Sequence, residues 1–174
     1  MSGMMQPLGG GSLFVVRDTE RTGLGLFARQ RLAAGERAFE IEGPERVWRS
    51  VNDDDALANP NWICIGEHRW IDAVGAARFL NHSCEPNLAF REPREFVTLR
   101  AIKPGEELTF DYSLTEDEAL WRMECRCGAR SCRSVVRAIQ FLPLVTFMRH
   151  QSQVTAYFRS VWERRHTSAK APSP

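Results

Sequence analysis

Three cysteines stand within eight residues in CRCGARSC, positions 125–132, and no other stretch restricts the fold as sharply. The spacing is C-x-C-x4-C, and the intervening residues are Arg, Gly, Ala and Ser, so these thiols have no apolar matrix to join as core residues. Thiols this close together suit a shared ion, because tetrahedral zinc takes cysteine sulfur at about 2.3 Å. Three ligands leave a tetrahedral site one short. Cys84 is the natural fourth donor, and using it would tie two distant segments of the chain together. Three free thiols are the alternative. Cys64 alternates within an apolar run, WICIG, and reads as a small buried hydrophobe. The odd count of five argues against a disulfide framework.

The rest of the chain has to supply a fold around that loop. Its 174 residues suffice for one domain with a real core. The apolar runs are short: LFVV (13–16), LGLFA (24–28), RAFEI (37–41), WICIG (62–66), HRWIDA (68–73), FVTLRAI (96–102) and ELTFDY (107–112). Turn formers separate them, and WICIG and HRWIDA read as a hairpin about Gly66-Glu67. This predicts a mostly β chain (β+α) without βαβ rhythm. The segment 50–61 reads as a polar connection. After Pro143 the apolar spacing predicts one amphipathic helix of about 18–20 residues, packed on the β core. No apolar run approaches the 18 or so residues of a membrane span, and the start, MSGMMQPLGGGS, lacks the basic and apolar regions of a secretory signal. A net charge of +1 gives no general pull toward nucleic acid or anionic lipid. The expected setting is cytoplasmic and reducing, with no membrane and no direct nucleic-acid partner. The oligomeric state is not legible.

TGLGLF (22–27) contains a Gly-x-Gly, but position 28 is Ala and no helical run follows, so the dinucleotide fingerprint is incomplete. A Gly-x-Gly leading into a strand still lets a ligand lie close against bare backbone. RFLNHSCEPN (78–87) is equally distinctive: it places an amide, an imidazole and a thiol at Asn81, His82 and Cys84. That is too polar for a core strand and too specific for an ordinary loop.

In chain order, GLGLFA (23–28), RFLNHSCEPN (78–87), GEELTFDY (105–112) and CRCGARSCR (125–133) together resemble the motifs of the SET-domain protein lysine methyltransferases, with WIDA (70–73) matching the strand before the Asn-His segment. The resemblance covers about residues 13–137, and the compact size is similar to small free-standing bacterial members. It implies a SET fold of several small curved sheets with a knot-like crossing, a post-SET zinc loop and a C-terminal helix. The implied divisions are a flexible leader (1–12), the SET domain (13–112), the post-SET zinc segment (113–137), the C-terminal helix (138–165) and a flexible tail (166–174).

The resemblance also implies an activity, methyl transfer from S-adenosylmethionine to a lysine side-chain amine of a protein or peptide. Gly23, Leu24, Gly25, Asn81, His82 and Tyr112 would bind the cofactor. Tyr112 would be the catalytic residue, positioning the methyl group and the amine, with Asp111 as a structural partner. Cys84, Cys125, Cys127 and Cys132 would hold one structural Zn2+ per chain. Ile41, Phe90 and Phe110 would line the substrate channel, and Phe110 in place of a tyrosine implies di- or trimethyl product. There are departures from the family pattern. Ile41 stands where many members carry the Tyr of E-Y-x-G, VGA (74–76) replaces Y-G-N, and Ser134 replaces the Gly that closes the post-SET run. The competing readings are a catalytically weak SET-fold binding module and a zinc-held interaction domain without cofactor. The acidic TEDE (115–118) reads as a solvated loop, or as a face for a basic peptide.

Overall fold

A computed structural model describes residues 6–7, 12–48, 61–91 and 93–168. Among these residues the short apolar runs form short strands in five small sheets. Strands β2 (Phe14–Thr19) and β3 (Gly23–Ala28) make an antiparallel hairpin with Phe14 opposite Ala28 and Thr19 opposite Gly23. Its turn is closed by Thr22 N–H donating to Thr19 Oγ1 at 2.9 Å, and by Gly23 at φ +79°, a conformation that costs glycine little. A second sheet centres β10 (Glu95–Thr98) between β4 (Arg37–Glu40) and β9 (Leu88–Arg91). A third centres β7 (Arg69–Asp72) between β5 (Glu45–Val47) and β6 (Trp62–Gly66). The main core lies among these sheets and buries Leu26, Leu32, Ile41, Phe96, Ile102 and Leu108 completely or nearly so.

Two minimal sheets position the site. Strand β8 (Asn81–His82) runs parallel to β11 (Thr109–Phe110), with Asn81 opposite Thr109 and His82 opposite Phe110. The β11 segment changes partners along its length: Leu108 N donates to Leu26 O in β3 at 2.7 Å, and the next two residues pair with β8. That switch explains why only Thr109–Phe110, and not all of 107–112, is a strand. Past it, Asp111 accepts from Ser113 N at 3.1 Å and starts a 3-10 turn, Tyr112–Thr115. Strand β12 (Arg122–Glu124) pairs with β13 (Val135–Arg137) and frames the cysteine run. Ser134, in place of the expected Gly, is held at φ +61°, where a side chain costs about 1 kcal/mol.

Four expectations need correction. The run 96–102 ends as a strand at Thr98, whose hydroxyl turns to Ala33 O at 2.5 Å; only Ile102 pairs again, with Leu32. In the proposed leader, Gln6 and Pro7 pair with Val16 and Val15 as strand β1, while the rest of 1–11 and the connection from 49 to 60 lie outside the described residues. The single C-terminal helix is two, α1 (Leu144–His150) and α2 (Ala156–Ser168), with Val154 extended between them. In one straight helix Phe147 and Trp162 would lie about 22 Å apart at 1.5 Å per residue. The break instead stacks their rings at 3.9 Å and 8°, over a cluster with Trp48, Cys64, Trp70 and Phe158. The second helix also continues past residue 165: His166, placed in the tail by sequence, stacks on Trp162 at 3.9 Å. Among the described residues no helix is long and apolar enough to cross a membrane.

The fourth correction concerns TEDE. Thr115 and Glu116 are buried, and Asp117 accepts from Tyr157 Oη at 2.5 Å in the seam between the 3-10 turn and α2. The segment is neither a solvated loop nor an acidic docking face. Burial lifts the Glu116 carboxyl from its ordinary 4.5 to about 8. The folded chain thus holds this proton more tightly than the unfolded chain, so the associated stability is full below pH 4.5 and lost as pH rises through 8. Glu116→Gln retains an oxygen for Glu118 N, which donates to Glu116 Oε1 at 2.7 Å, and carries no charge. Denaturant titrations from about pH 5 to pH 9 should show wild-type stability falling on the order of a few kcal/mol, with a flatter profile in the variant. Parallel profiles would assign the fall to another group.

Candidate functional site

The parallel β8–β11 pair brings the first three motifs into one place. The Asn81 amide donates to Leu24 O at 3.1 Å and to Glu107 Oε1 at 2.8 Å, so it closes against the exposed backbone of Gly23-Leu24. Gly25 is required by this approach: a Cβ there would lie 2.6 Å from Glu107 Oε1 and Thr19 Cγ2 and 2.9 Å from Asn81 Nδ2. Open space flanks Gly23, with no atom within 4 Å of a built Cβ. The arrangement is a shallow cradle of bare backbone with one amide side chain and one carboxylate at its edge.

Asn87 was not singled out from the sequence, yet it staples the crossing. It is 2% exposed, and its amide donates to Glu107 O at 2.7 Å while its Oδ1 accepts from Thr109 N at 2.8 Å. The signal available beforehand was an Asn closing the motif just after Pro86, where a side chain can stand in for missing strand pairing.

Tyr112 follows directly. Its hydroxyl donates to Leu80 O at 2.6 Å, and its ring lies 4.8 Å from Phe110 and 5.3 Å from His82. Burial, with the negative charge of Glu107 adding to it, pushes the phenol well above its ordinary value. It therefore stays protonated at neutral pH. Phe110, Phe96 and Phe90 continue the aromatic run at 4.9 and 6.1 Å. Ile41, Phe90 and Phe110 are at most 5% exposed and belong to the main core. Phe90 also borders a cavity of about 240 Å³ with Arg91 and residues 152–156.

The imidazole of His82 does not join the cradle. It is 7% exposed, accepts from Tyr112 N at 3.2 Å through Nδ1, and sits with Nε2 3.3 Å from Cys84 Sγ. Burial pulls its pKa down to about 4, against the opposing charge of Asp111. Asp111 Oδ1 is engaged by Arg133 Nη2 at 2.6 Å, and Arg133 N donates to Cys84 Sγ at 3.4 Å.

Cys84, Cys125 and Cys127 converge with a His82 nitrogen, their ligand atoms all within 4.8 Å of one another, while Cys132 stands outside that mutual group and approaches it through Cys125. Cys84 Sγ lies 3.9 Å from Cys125 Sγ, which lies 3.7 Å from Cys132 Sγ. Sulfurs on a tetrahedral zinc at 2.3 Å are about 3.8 Å apart by geometry. Cys127 lies within 4.8 Å of Cys84 and Cys125, as does a nitrogen of His82. Burial raises the Cys127 thiol, but hydrogen bonds from the backbone and neighbouring thiols outweigh it and leave the value at about 7. The Cys/His group is compatible with zinc in chemistry and spacing. Cys64 stands apart, 0% exposed in β6, its thiol donating to Gly66 O at 3.3 Å. Arg21 ties this loop to the cradle's hairpin: its Nη1 donates to Cys127 O at 3.0 Å, and its guanidinium fills the space a Cβ on Gly128 would need.

With this geometry established, the family profile described as the SET domain matches residues 23–113. The chain belongs to the SET-domain family. It is similar to Histone-lysine N-methyltransferase 2B of Homo sapiens, 38% identical in an alignment of 128 residues that covers 64% of this chain and 5% of that protein. It is also similar to Histone-lysine N-methyltransferase ASHH3 of Arabidopsis thaliana, 32% identical in an alignment of 134 residues that covers 66% of this chain and 36% of the relative. This SET-domain chain thus spans a small part of these relatives' lengths. Among solved structures, KRYPTONITE in complex with mCHH DNA, H3(1-15) peptide and SAH matches with a TM-score of 0.53 and 28% identity, over 70% of this chain and 29% of that one.

Proposed function

We propose that this chain is a protein-lysine N-methyltransferase that uses S-adenosylmethionine and acts on a lysine of a protein or peptide. The observation carrying the reading is the β8–β11 pair, which sets Asn81 against the bare backbone of Gly23-Leu24 and Tyr112 immediately downstream. The names of the relatives agree with it, as do the H3 peptide and SAH bound by KRYPTONITE. The DNA in that complex belongs to a protein of which this chain matches 29%, and a net charge of +1 does not argue for a nucleic-acid substrate here. A reducing, cytoplasmic setting, which keeps thiols available as metal ligands, goes with this reading.

Gly23, Leu24, Gly25 and Asn81 would hold the cofactor, with the backbone of His82 and the ring of Tyr112 completing its site. S-adenosylmethionine, when bound, supplies an electrophilic methyl on a sulfonium. The chain's own task is to deliver a neutral amine in line. Free lysine has a pKa of about 10.4, and apolar walls at Ile41, Phe90 and Phe110 would disfavour the ammonium form. The Tyr112 hydroxyl, pinned to Leu80 O, would orient the amine and the methyl group rather than take a proton. Proximity and alignment then contribute several kcal/mol to the rate. Cys84, Cys125, Cys127 and Cys132 would hold one structural zinc that closes residues 113–137 over the cradle.

Transfer of labelled methyl to an H3 N-terminal peptide or to host lysate proteins tests the activity, and cofactor calorimetry tests the site. Asn81→Ala should weaken S-adenosylhomocysteine binding by about 1–3 kcal/mol, because it removes the amide and leaves Glu107 and Leu24 O without that donor. Equal affinity in variant and wild type would remove Asn81 from the site.

Product multiplicity follows from Phe110, which offers no hydroxyl to restrain a methylated amine. Mass spectrometry at long times should show di- or trimethyl-lysine in the wild type and a shift toward monomethyl in Phe110→Tyr. A wild-type reaction that stalls at monomethyl would overturn this role for Phe110.

A further inference from the structure

We propose that the His82 imidazole is a hydrogen-bonded strut, not a metal ligand: it carries its proton on Nε2, donates it to the Cys84 sulfur, and holds the Tyr112 backbone through Nδ1. The metal centre would thereby set the position of Tyr112. The inference rests on the zinc and methyl-transfer readings above, and adds a role for a ring that sits inside the thiol cluster.

Proximity alone does not separate strut from ligand, since a His82 nitrogen lies within 4.8 Å of the Cys84, Cys125 and Cys127 sulfurs. Hydrogen bonding does. Tyr112 N–H points at Nδ1 from 3.2 Å, so Nδ1 must present a lone pair. A neutral imidazole has one N–H and one acceptor, and its protonated form has no acceptor at all. The proton therefore resides on Nε2, 3.3 Å from Cys84 Sγ. A metal bound at Nε2 would move the proton to Nδ1, where it would face the Tyr112 N–H as one donor against another. Asp111 does not rescue that arrangement. Its Oδ1 is 3.6 Å from Nδ1 and already accepts from Arg133 Nη2 at 2.6 Å and from Ser113 N at 3.1 Å.

The Cys84 sulfur then receives two N–H donors, from His82 Nε2 and from the Arg133 backbone at 3.4 Å. Arg133 is the second arm of the same bridge. Its guanidinium grips Asp111, the residue before Tyr112, and both groups are largely or fully buried, with side-chain exposures of 15% and 0%. Hydrogen-bonded partners of this kind orient metal ligands and tune them. Here the partners of one ligand are also the supports of the tyrosine, so a shift of Cys84 reaches Tyr112 through two side chains.

Three measurements on the full chain decide the matter. Long-range 1H–15N correlation on the wild type should show the His82 proton on Nε2; a proton on Nδ1 would overturn the proposal. Metal analysis should show one zinc in His82→Gln, whose amide reaches the Nε2 position, and loss of zinc in Cys132→Ser. The reverse pattern would make His82 the ligand and sink the strut while leaving the zinc reading intact. A wild type without metal would sink both. In steady state, His82→Gln lacks the ring acceptor for Tyr112 N–H, so kcat should fall about 10-fold or more while the KM for cofactor moves little. An unchanged kcat with full zinc would refute the link to Tyr112. A wild type with the Nε2 proton and full zinc but no methyl transfer would fail the activity reading alone.

Discussion

Cys127→Ser is expected to abolish zinc binding and to release residues 122–137 from the rest of the chain. Apart from the metal, the segment is held to the rest of the chain by the buried Arg133–Asp111 pair, the Ser113 hydroxyl donating to Arg137 O, and the Ser131 backbone and hydroxyl donating to Glu85. Strands β12 and β13 are three residues each. The Arg126–Glu124 pair is about 80% exposed, and exposed pairs contribute at most about 1 kcal/mol. The buried material there is Cys84, Cys125 and Val136, with Tyr112, Trp121 and Met123 packed alongside. Structural zinc in small peptides supplies on the order of 10 kcal/mol of folding free energy, so loss of the metal should outweigh any one of these contacts. The main core contains none of these cysteines, so the effect should be local. Inductively coupled plasma mass spectrometry should fall from one zinc per chain to none, and amide exchange across 122–137 should accelerate while the protection of β2, β3 and β10 persists. Cofactor affinity should drop as well, because Arg21 links the hairpin turn to Cys127 O. Cys64→Ser, in a separate cluster, should retain the zinc. Stoichiometric zinc in Cys127→Ser would show that the ligand set is wrong.

The cysteine run stands out in the sequence because its chemistry leaves little freedom. Clustered thiols in a polar run are hard to explain as core, and Cys84 is placed where the count requires a fourth. The strands at Phe14–Thr19, Gly23–Ala28, Trp62–Gly66 and Arg69–Asp72 were legible for a similar reason, since each run is short and bounded by turn formers. Two-residue strands carry no periodicity. Asn81–His82 and Thr109–Phe110 therefore read as motif residues but not as a parallel pair. The break at Val154 was hidden because both helices are apolar at helical spacing; what bends the chain is the Phe147–Trp162 stack, a contact between positions that one helix would hold apart. TEDE misled because charge reads as solvent exposure, while Tyr157 and Gln140 supply partners from far along the chain. The orientation of the His82 ring depends on Tyr112 N, a backbone donor that no side-chain pattern announces.

Tyr112→Phe should lower kcat by about 100-fold or more, the scale seen when one preorganised hydrogen-bonding group is removed from an active site, while cofactor affinity changes only a few-fold. The ring should keep its place. It packs against Phe110 at 4.8 Å and His82 at 5.3 Å, and the backbone bond to His82 Nδ1 does not involve the hydroxyl. The substitution removes the hydroxyl bonded to Leu80 O at 2.6 Å, leaving a buried carbonyl unpartnered, a cost of about 1–3 kcal/mol in stability. The pH profile separates positioning from base catalysis. Burial and Glu107 hold the phenol protonated throughout the working range, so the rise of rate with pH should come from the substrate lysine losing its proton. Wild type and Tyr112→Phe should then rise in parallel, offset by the loss in kcat, in single-turnover rates measured from about pH 6 to pH 9.5. A variant whose rate no longer depends on pH would assign the titrating group to Tyr112 and make it a base. A variant with wild-type kcat would remove the hydroxyl from the reaction.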